Sequence, residues 1–271
     1  HTFPDIFYIR STNQFLGFAQ AHVSAANGGN MQVANDAWFA KNIMNQGSYG
    51  SLYPKRKHMF EGDSPSFMYL IPNGLSDPEK VYYGGWGGRF QRDKVQNPPT
   101  FSHANVDQSE FRDFYMYNDA PDTWVYNGET YEDVYCALFR WRDDYQHDFA
   151  ARMKWTMQDY NEANHNPVAI VDGDETKDII YKTVEPGSNY VLDASDSYDP
   201  DGDLFSFEWF YYKEPGTYPK TINIRNADSS KVVVSVPEDA AKKEIHVVLR
   251  MEDNGSPSLF AYRRIVFSVL E

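Results

Sequence analysis

The chain has 271 residues, 41% of them hydrophobic, which is enough to fill the core of one large domain or two modest ones. Its 39 acidic and 25 basic side chains leave a formal charge of −14, a field that repels phosphate backbones and anionic membrane surfaces and excludes nucleic acid as a partner. No stretch approaches ~20 uninterrupted apolar residues, so no membrane span is expected.

In chain order, the opening "HTFPDIFYIR" has neither the basic stretch nor the apolar core of a signal peptide, and it reads as a strand under way. "QVANDAWFAKNIMNQG" has the spacing of a helix ended by Gly47, and "HMFEGDSPSFMYLIPNG" that of a strand, a turn and a helix start. Alternating strands and helices imply a parallel α/β sheet with helices packed on it. Only two or three strands can be counted, so the segment reads as the C-terminal part of a larger domain. In "YYGGWGGRF", residues 82–90, four glycines surround Trp86; they suit either a flexible connector or a mobile loop that displays the indole beside a cavity. Without a Lys followed by Ser or Thr, this is not a phosphate-cradling loop.

From Thr130 onward, Val134, Leu138, Trp141, Tyr145 and Phe149 recur at steps of three and four, the spacing of a long amphipathic helix. The single cysteine, Cys136, reads as a small buried hydrophobe. A break at Asn164 to Pro167 follows, and it divides the chain into residues 1–163 and 164–271. Beyond it the pattern becomes short β-rich segments such as "NYVLDAS", "LFSFEWFYY", "KVVVSVP", "EIHVVLRMED" and "FAYRRIVFSVL". In the fourth of these, Ile245, Val247, Leu249 and Met251 face one side while His246, Val248 and Arg250 face the other. Polar turns between such strands describe an antiparallel β-sandwich.

Two acidic stretches and the aromatic content bear on chemistry. In "EGDSPSF", Asp63 can cap the helix that Pro65 opens, or can offer an oxygen to a hard cation at the end of a strand. In "DASDSYDPDGDLFSFEW", Asp199, Asp201 and Asp203 alternate as in a calcium loop, but the twelfth position is Phe210 instead of Glu, so turn chemistry is the simpler reading. The seven histidines show no zinc spacing. Aromatic residues make up 16% of the chain, including 20 Tyr, a composition suited to aromatic-rich cores and also to stacking on sugar rings.

"SLYPKRKHMFEGDSPSFMYLIPNGLSDPE", "YYGGWGGRF" and "ARMKWTMQDYNEANHNPVAIVDGD" together resemble a bacterial family of cellulose-binding proteins, in which a nucleoside-hydrolase-like domain precedes a small β-sandwich. The C-terminal "LDASDSYDPDGDLFSFEW" and "MEDNGSPSLFAYRRIVFSV" are also similar to immunoglobulin-like modules of the polycystic-kidney-disease type, which implies an extracytoplasmic, secreted or cell-surface location. The implied fold is the C-terminal part of a nucleoside-hydrolase-like α/β domain followed by an all-β immunoglobulin-like sandwich. The implied function is hydrolysis or binding of a glycosidic or N-ribosidic substrate, with a noncatalytic cellulose- or glycan-binding protein as the alternative. By context Asp63 matches the late aspartate that holds Ca²⁺ in nucleoside hydrolases, where the metal orients a water for attack on the anomeric carbon. Glu61, Asn73 and Trp86 would then line the sugar site. The N-terminal aspartate cluster of that family is absent, and a lone carboxylate falls short of the about six to eight oxygens calcium takes. The resemblance therefore implies a missing N-terminal segment or a companion chain as partner, beside the carbohydrate ligand, and a chain inactive as a hydrolase on its own.

Overall fold

The computed structural model describes residues 8–11, 14, 28–55, 65–94 and 115–271. Glu61 and Asp63 lie outside these.

The N-terminal region is α/β. Strand β1 (Ile9–Arg10) pairs parallel with β3 (Tyr115–Asp119), and β2 (Phe90–Lys94) pairs antiparallel on the other side of β3. The sheet is therefore mixed, with one parallel pair among the described residues. Helix α1 (Asp36–Phe39) starts where the Asn35 side chain accepts a hydrogen bond from the Trp38 amide at 2.9 Å, and it runs on into a π-helical turn, Ala40–Met44. Gly47, at φ +59°, begins helix α2 (Gly47–Leu52). A short helix α3 (Pro65–Met68) precedes the loop that carries Asn73.

The helix expected from Thr130 divides differently. Residues on both sides of Asn127 and Gly128 form a hairpin, β4 (Asp122–Tyr126) with β5 (Glu129–Asp133), because both turn residues take positive φ, as a tight two-residue turn requires. Helix α4 (Cys136–Phe139) and the longer α5 (Arg142–Trp155) follow. Cys136 is buried, as read from the sequence, and burial pushes its thiol up to about 12. Helix α5 buries polar residues as well as apolar ones: Arg142, Asp144, Gln146 and Asp148 lie beside Tyr145 and Ala150, with Gln146 Nε2 donating to the Val33 carbonyl at 2.7 Å, Asp144 held by Arg250 and Asp148 by Arg152.

The C-terminal region is an immunoglobulin-like sandwich. One sheet has the order β6 (Ile180–Val184), β12 (Phe260–Val269), β11 (Glu244–Asp253), β8 (Phe205–Tyr211), antiparallel except for β6 beside β12. The other is β7 (Asn189–Asp193), β10 (Lys231–Ser235), β9 (Asn223–Arg225), all antiparallel. Ile245, Val247, Leu249 and Met251 share one face of β11, as their alternation predicts, and pack with Leu192, Val232 and Val234 of the opposing sheet. The other face is also buried: Val248 and Tyr262 join Trp86, Trp141 and Tyr145 in a second core that belongs to both halves of the chain. The four-stranded sheet is thus the middle of three layers.

Polar contacts fix this junction. Arg250 grips Asp144 of α5 through two hydrogen bonds of 2.8 Å, and the Tyr262 hydroxyl donates to the same carboxylate. Residues 73–74 extend the middle sheet, with the Tyr262 amide donating to the Asn73 carbonyl at 3.2 Å and the Arg264 amide to that of Gly74 at 3.0 Å. Gly74, at φ +87°, has no room for a side chain, since a Cβ would fall 1.9 Å from the Tyr262 carbonyl oxygen. Asp122, fully buried, accepts from Arg89 Nε at 2.6 Å, Arg140 at 3.3 Å and the Tyr212 hydroxyl at 2.6 Å. We propose residues 1–163 and 164–271 as two units that share this core.

Replacing Asp122 would leave two guanidinium groups facing each other across a dry junction. Asp122→Ala is expected to lower stability by about 3–5 kcal/mol in urea unfolding; a loss under ~1 kcal/mol would show that water replaces the carboxylate.

His246 gives the junction a pH dependence. It is buried against the edge of Tyr83, with ring centroids 4.5 Å apart; Arg264 donates to its Nδ1 at 3.1 Å, so Nε2 carries the proton donated to Glu244 at 2.7 Å. Burial pushes the imidazole from an ordinary 6.5 down to about 4, the Arg264 and Lys80 charges assisting and Glu244 opposing. The unfolded chain takes up the proton first as pH falls, so stability present above pH 6.5 is lost progressively toward about pH 4. Urea midpoints should drop across that window, and His246→Gln should flatten the drop; parallel curves for both proteins would exclude His246 as the cause.

Candidate functional site

A cleft of about 650 Å³ opens where the linker meets the sandwich, lined by Tyr160, Glu162, Asn164, Asp201, Asp203 and Asn254 among others. Three segments build it. Helix α5 ends at Trp155 and leads into a 3₁₀ turn, Tyr160–Glu162. The linker is then pinned to the sandwich: Asn164 Nδ2 donates to the Pro257 carbonyl at 2.8 Å and to Asp253 at 3.2 Å, while its own carbonyl accepts from Trp155 Nε1 at 2.9 Å. The turn before β8 supplies Asp201, which accepts from the His165 amide at 2.6 Å and faces His165 Nδ1 at 2.8 Å.

His165 is consequently packed against two aromatic rings, tilted by 37° to the nearer, Tyr160. Its centroid lies 4.1 Å from that of Tyr160 and 6.3 Å from that of Trp155, the latter ring inclined to it by only 20°. Tyr160 nevertheless remains 72% exposed. An aromatic ring fixed from behind and open in front, with carboxylate and amide groups on the adjoining wall, offers an apolar face and hydrogen-bonding groups together. Such a combination suits a ligand with one apolar face and a hydroxylated rim.

Asp199, Asp201 and Asp203 present oxygens that all lie within 4.8 Å of one another, and they are the group among the described residues that could hold a metal ion. Their bonding follows the turn chemistry expected from the sequence: Asp199 Oδ1 accepts from the amides of Asp201 at 2.8 Å and Asp203 at 3.1 Å. The cluster supplies three carboxylates, one of them already committed to His165, against the about six to eight oxygens of a calcium site. The nearby Asp253 is shifted upward, by burial first and by the Asp199 charge last, opposed by hydrogen bonds from Leu259, Gly255 and Asn164.

Of the residues that the family resemblance assigns to a sugar or metal site, the described ones, Asn73 and Trp86, fall elsewhere. Glu61 and Asp63 lie outside the described residues. Asn73 sits at the junction, its Oδ1 accepting from the Leu75 amide at 3.1 Å and its Nδ2 buried with no hydrogen-bond partner among the described residues. Trp86 is not displayed on a loop: it is 1% exposed, and its Nε1 donates to the Tyr262 hydroxyl at 3.1 Å. The glycines produce the opposite of display. At Gly84 an added Cβ would stand 2.3 Å from the Tyr212 hydroxyl, so the backbone closes tightly and folds the indole inward. Asn73 and Trp86 are thus brought together through Tyr262, as junction residues. Tyr160 and its polar neighbours were missed in the sequence, although "QDYNEANHN" places an aromatic residue in a run of amides and acids next to the linker.

Residues 1–90 match the family model described as cellulose-binding Sde182, nucleoside hydrolase-like domain, and residues 189–269 match that of cellulose-binding protein Sde0182, C-terminal domain. A solved nucleoside hydrolase-related protein from Saccharophagus degradans, described as associated with carbohydrate metabolism, aligns with 99% of the chain at 33% identity and a TM-score of 0.80. The chain belongs to this family. It spans 58% of the length of that relative. A PKD domain from the KIAA 1837 protein aligns with 34% of the chain and 82% of its own length, and human CDH23 EC21-23 with 42% and 35%. At 18% and 17% identity and TM-scores of 0.26 and 0.29, neither carries an argument. No curated protein matches the chain. Among the described residues, no helix is long and apolar enough to cross a membrane.

Proposed function

We propose that this chain is a noncatalytic glucan-binding protein that holds cellulose or a related β-glucan at the cleft beside the linker, and that it works outside the cytoplasm, where such polymers occur. The observation that carries this reading is Tyr160, 72% exposed and braced by His165 at the rim of a polar cleft. The description of the matching family models as cellulose-binding supports the ligand class. Stacking would cover the apolar face of a sugar ring, while Glu162, Asp203 and Asn254 would accept from or donate to its hydroxyls. Tyr160→Ala is expected to reduce retention on insoluble cellulose about tenfold, the effect of losing ~1.4 kcal/mol of binding free energy. Retention equal to wild type would rule out the cleft.

A second reading has one observation in its favour: the segment that matches the nucleoside hydrolase-like model contains "EGDSP", residues 61–65. On this reading the protein is a calcium-dependent hydrolase, Asp63 is a Ca²⁺ ligand, Glu61 and Asn73 line the sugar site, and a companion segment or chain supplies the remaining oxygens. The described residues bring no set of oxygens toward Asn73 that would fit the ion, so no catalytic step is derived through it. Calorimetric titration of Ca²⁺ should give a binding heat that Asp63→Ala abolishes; the same heat from both proteins would remove Asp63 from any metal site.

A further inference from the structure

A second cavity, of about 310 Å³, lies on the junction and shares no lining residue with the cleft beside the linker. One wall comes from the loop after α3, with Leu70, Ile71, Pro72 and Asp77; the other comes from the approach to β6, with Asp178 and Tyr181. Tyr181 is 50% exposed, and its strand is fixed by the pairing of residues 180–184 with β12. Lys80 donates to the Tyr181 hydroxyl and stands over the ring, 4.5 Å from its centroid, so it fixes the ring by a hydrogen bond and a cation–π contact.

The chemistry of these walls narrows the ligand. Leu70, Ile71, Pro72 and Ile179 make part of the lining apolar, and Tyr181 is its aromatic ring, half exposed. Two carboxylates, Asp77 and Asp178, and the ammonium group of Lys177 line the cavity, and Lys80, outside the lining, pairs with Asp77 at 3.9 Å. The charges balance, so the site exerts little net attraction on an ion of either sign. A wholly apolar ligand would desolvate charges it could not pair. A neutral, hydroxylated ring with an apolar face meets both demands, and the volume falls at the small end of ligand cavities, about 300–1,000 Å³. We propose that this crevice is a second saccharide site, which takes the end of a soluble β-glucan chain.

The proposal rests on the reading of the chain as a glucan binder and adds a second point of attachment. Two sites on one body turn the second contact into an intramolecular event, which raises retention on a polymer without strengthening either site. The test is an amide NMR titration of the full chain with cellotetraose. Shifts are expected at Ile71, Asp77, Lys177, Asp178 and Tyr181, separately from those at residues 160–164. Tyr181→Ala, and independently Asp178→Ala at an exposed position, should weaken the first set at least tenfold and leave the second in place. Shifts confined to residues 160–164 would overturn the crevice and leave the cleft standing; shifts confined to the crevice would do the reverse. No shift at either site would overturn both, as would cellotetraose binding unaltered by either variant in the case of the crevice.

Discussion

Asp122 is buried with its two oxygens shared among Arg89, which closes the glycine loop, Arg140, which follows α4, and Tyr212, which follows β8 of the sandwich. Three segments far apart in the chain therefore meet on one charge. Two cations and one anion leave the group with an excess positive charge, and Glu214, 3.9 Å from Arg140, offsets it from the rim. Taking these ions out of water is unfavourable, and the arrangement holds only while every member is present. It gives the junction directionality that apolar packing around Trp141 and Tyr262 does not supply.

Much of the sandwich was legible because its strands obey a simple rule: alternate residues enter the core between two sheets. Ile245, Val247, Leu249 and Met251 show this on β11. What the alternation could not reveal is that the opposite face of the same strand is also covered. Val248 gives no hint of it, and His246 and Arg250 look like solvent-facing residues until Arg264 of the neighbouring strand and Asp144 of α5 satisfy them. On the helical segment the periodic residues Leu138, Trp141 and Tyr145 do enter the second core, but the buried positions of α5 also include Arg142, Asp144, Gln146 and Asp148, which hydrophobic periodicity cannot show. The hairpin of β4 and β5 was legible but overlooked: Asn127-Gly128 between aromatic runs is a strong turn signal, and a helix begun at Thr130 runs into the second strand of that hairpin.

The candidate site was less legible than the fold. Glycines around a tryptophan suggest a displayed ring, but whether a glycine makes a loop loose or tight depends on what lies within one Cβ length, which composition does not record. Tyr160 is the reverse case. Its exposure arises because the linker, anchored by Asn164 and by Asp201 through His165, is carried past the end of the sandwich with one ring left uncovered. That geometry depends on contacts across more than thirty residues of sequence.

The loop around Trp86 has a consequence for how this protein can change. Replacing glycine by alanine ordinarily restricts the unfolded chain and raises stability. At Gly84 and Gly88 the missing methyl groups are the space occupied by the Tyr212 hydroxyl and the Gln14 amide. Each vacancy is a socket for a side chain from another part of the fold, so drift at these glycines is tied to compensating drift at Tyr212 and Gln14, and the loop can be expected to evolve as one unit with the segments that fill it.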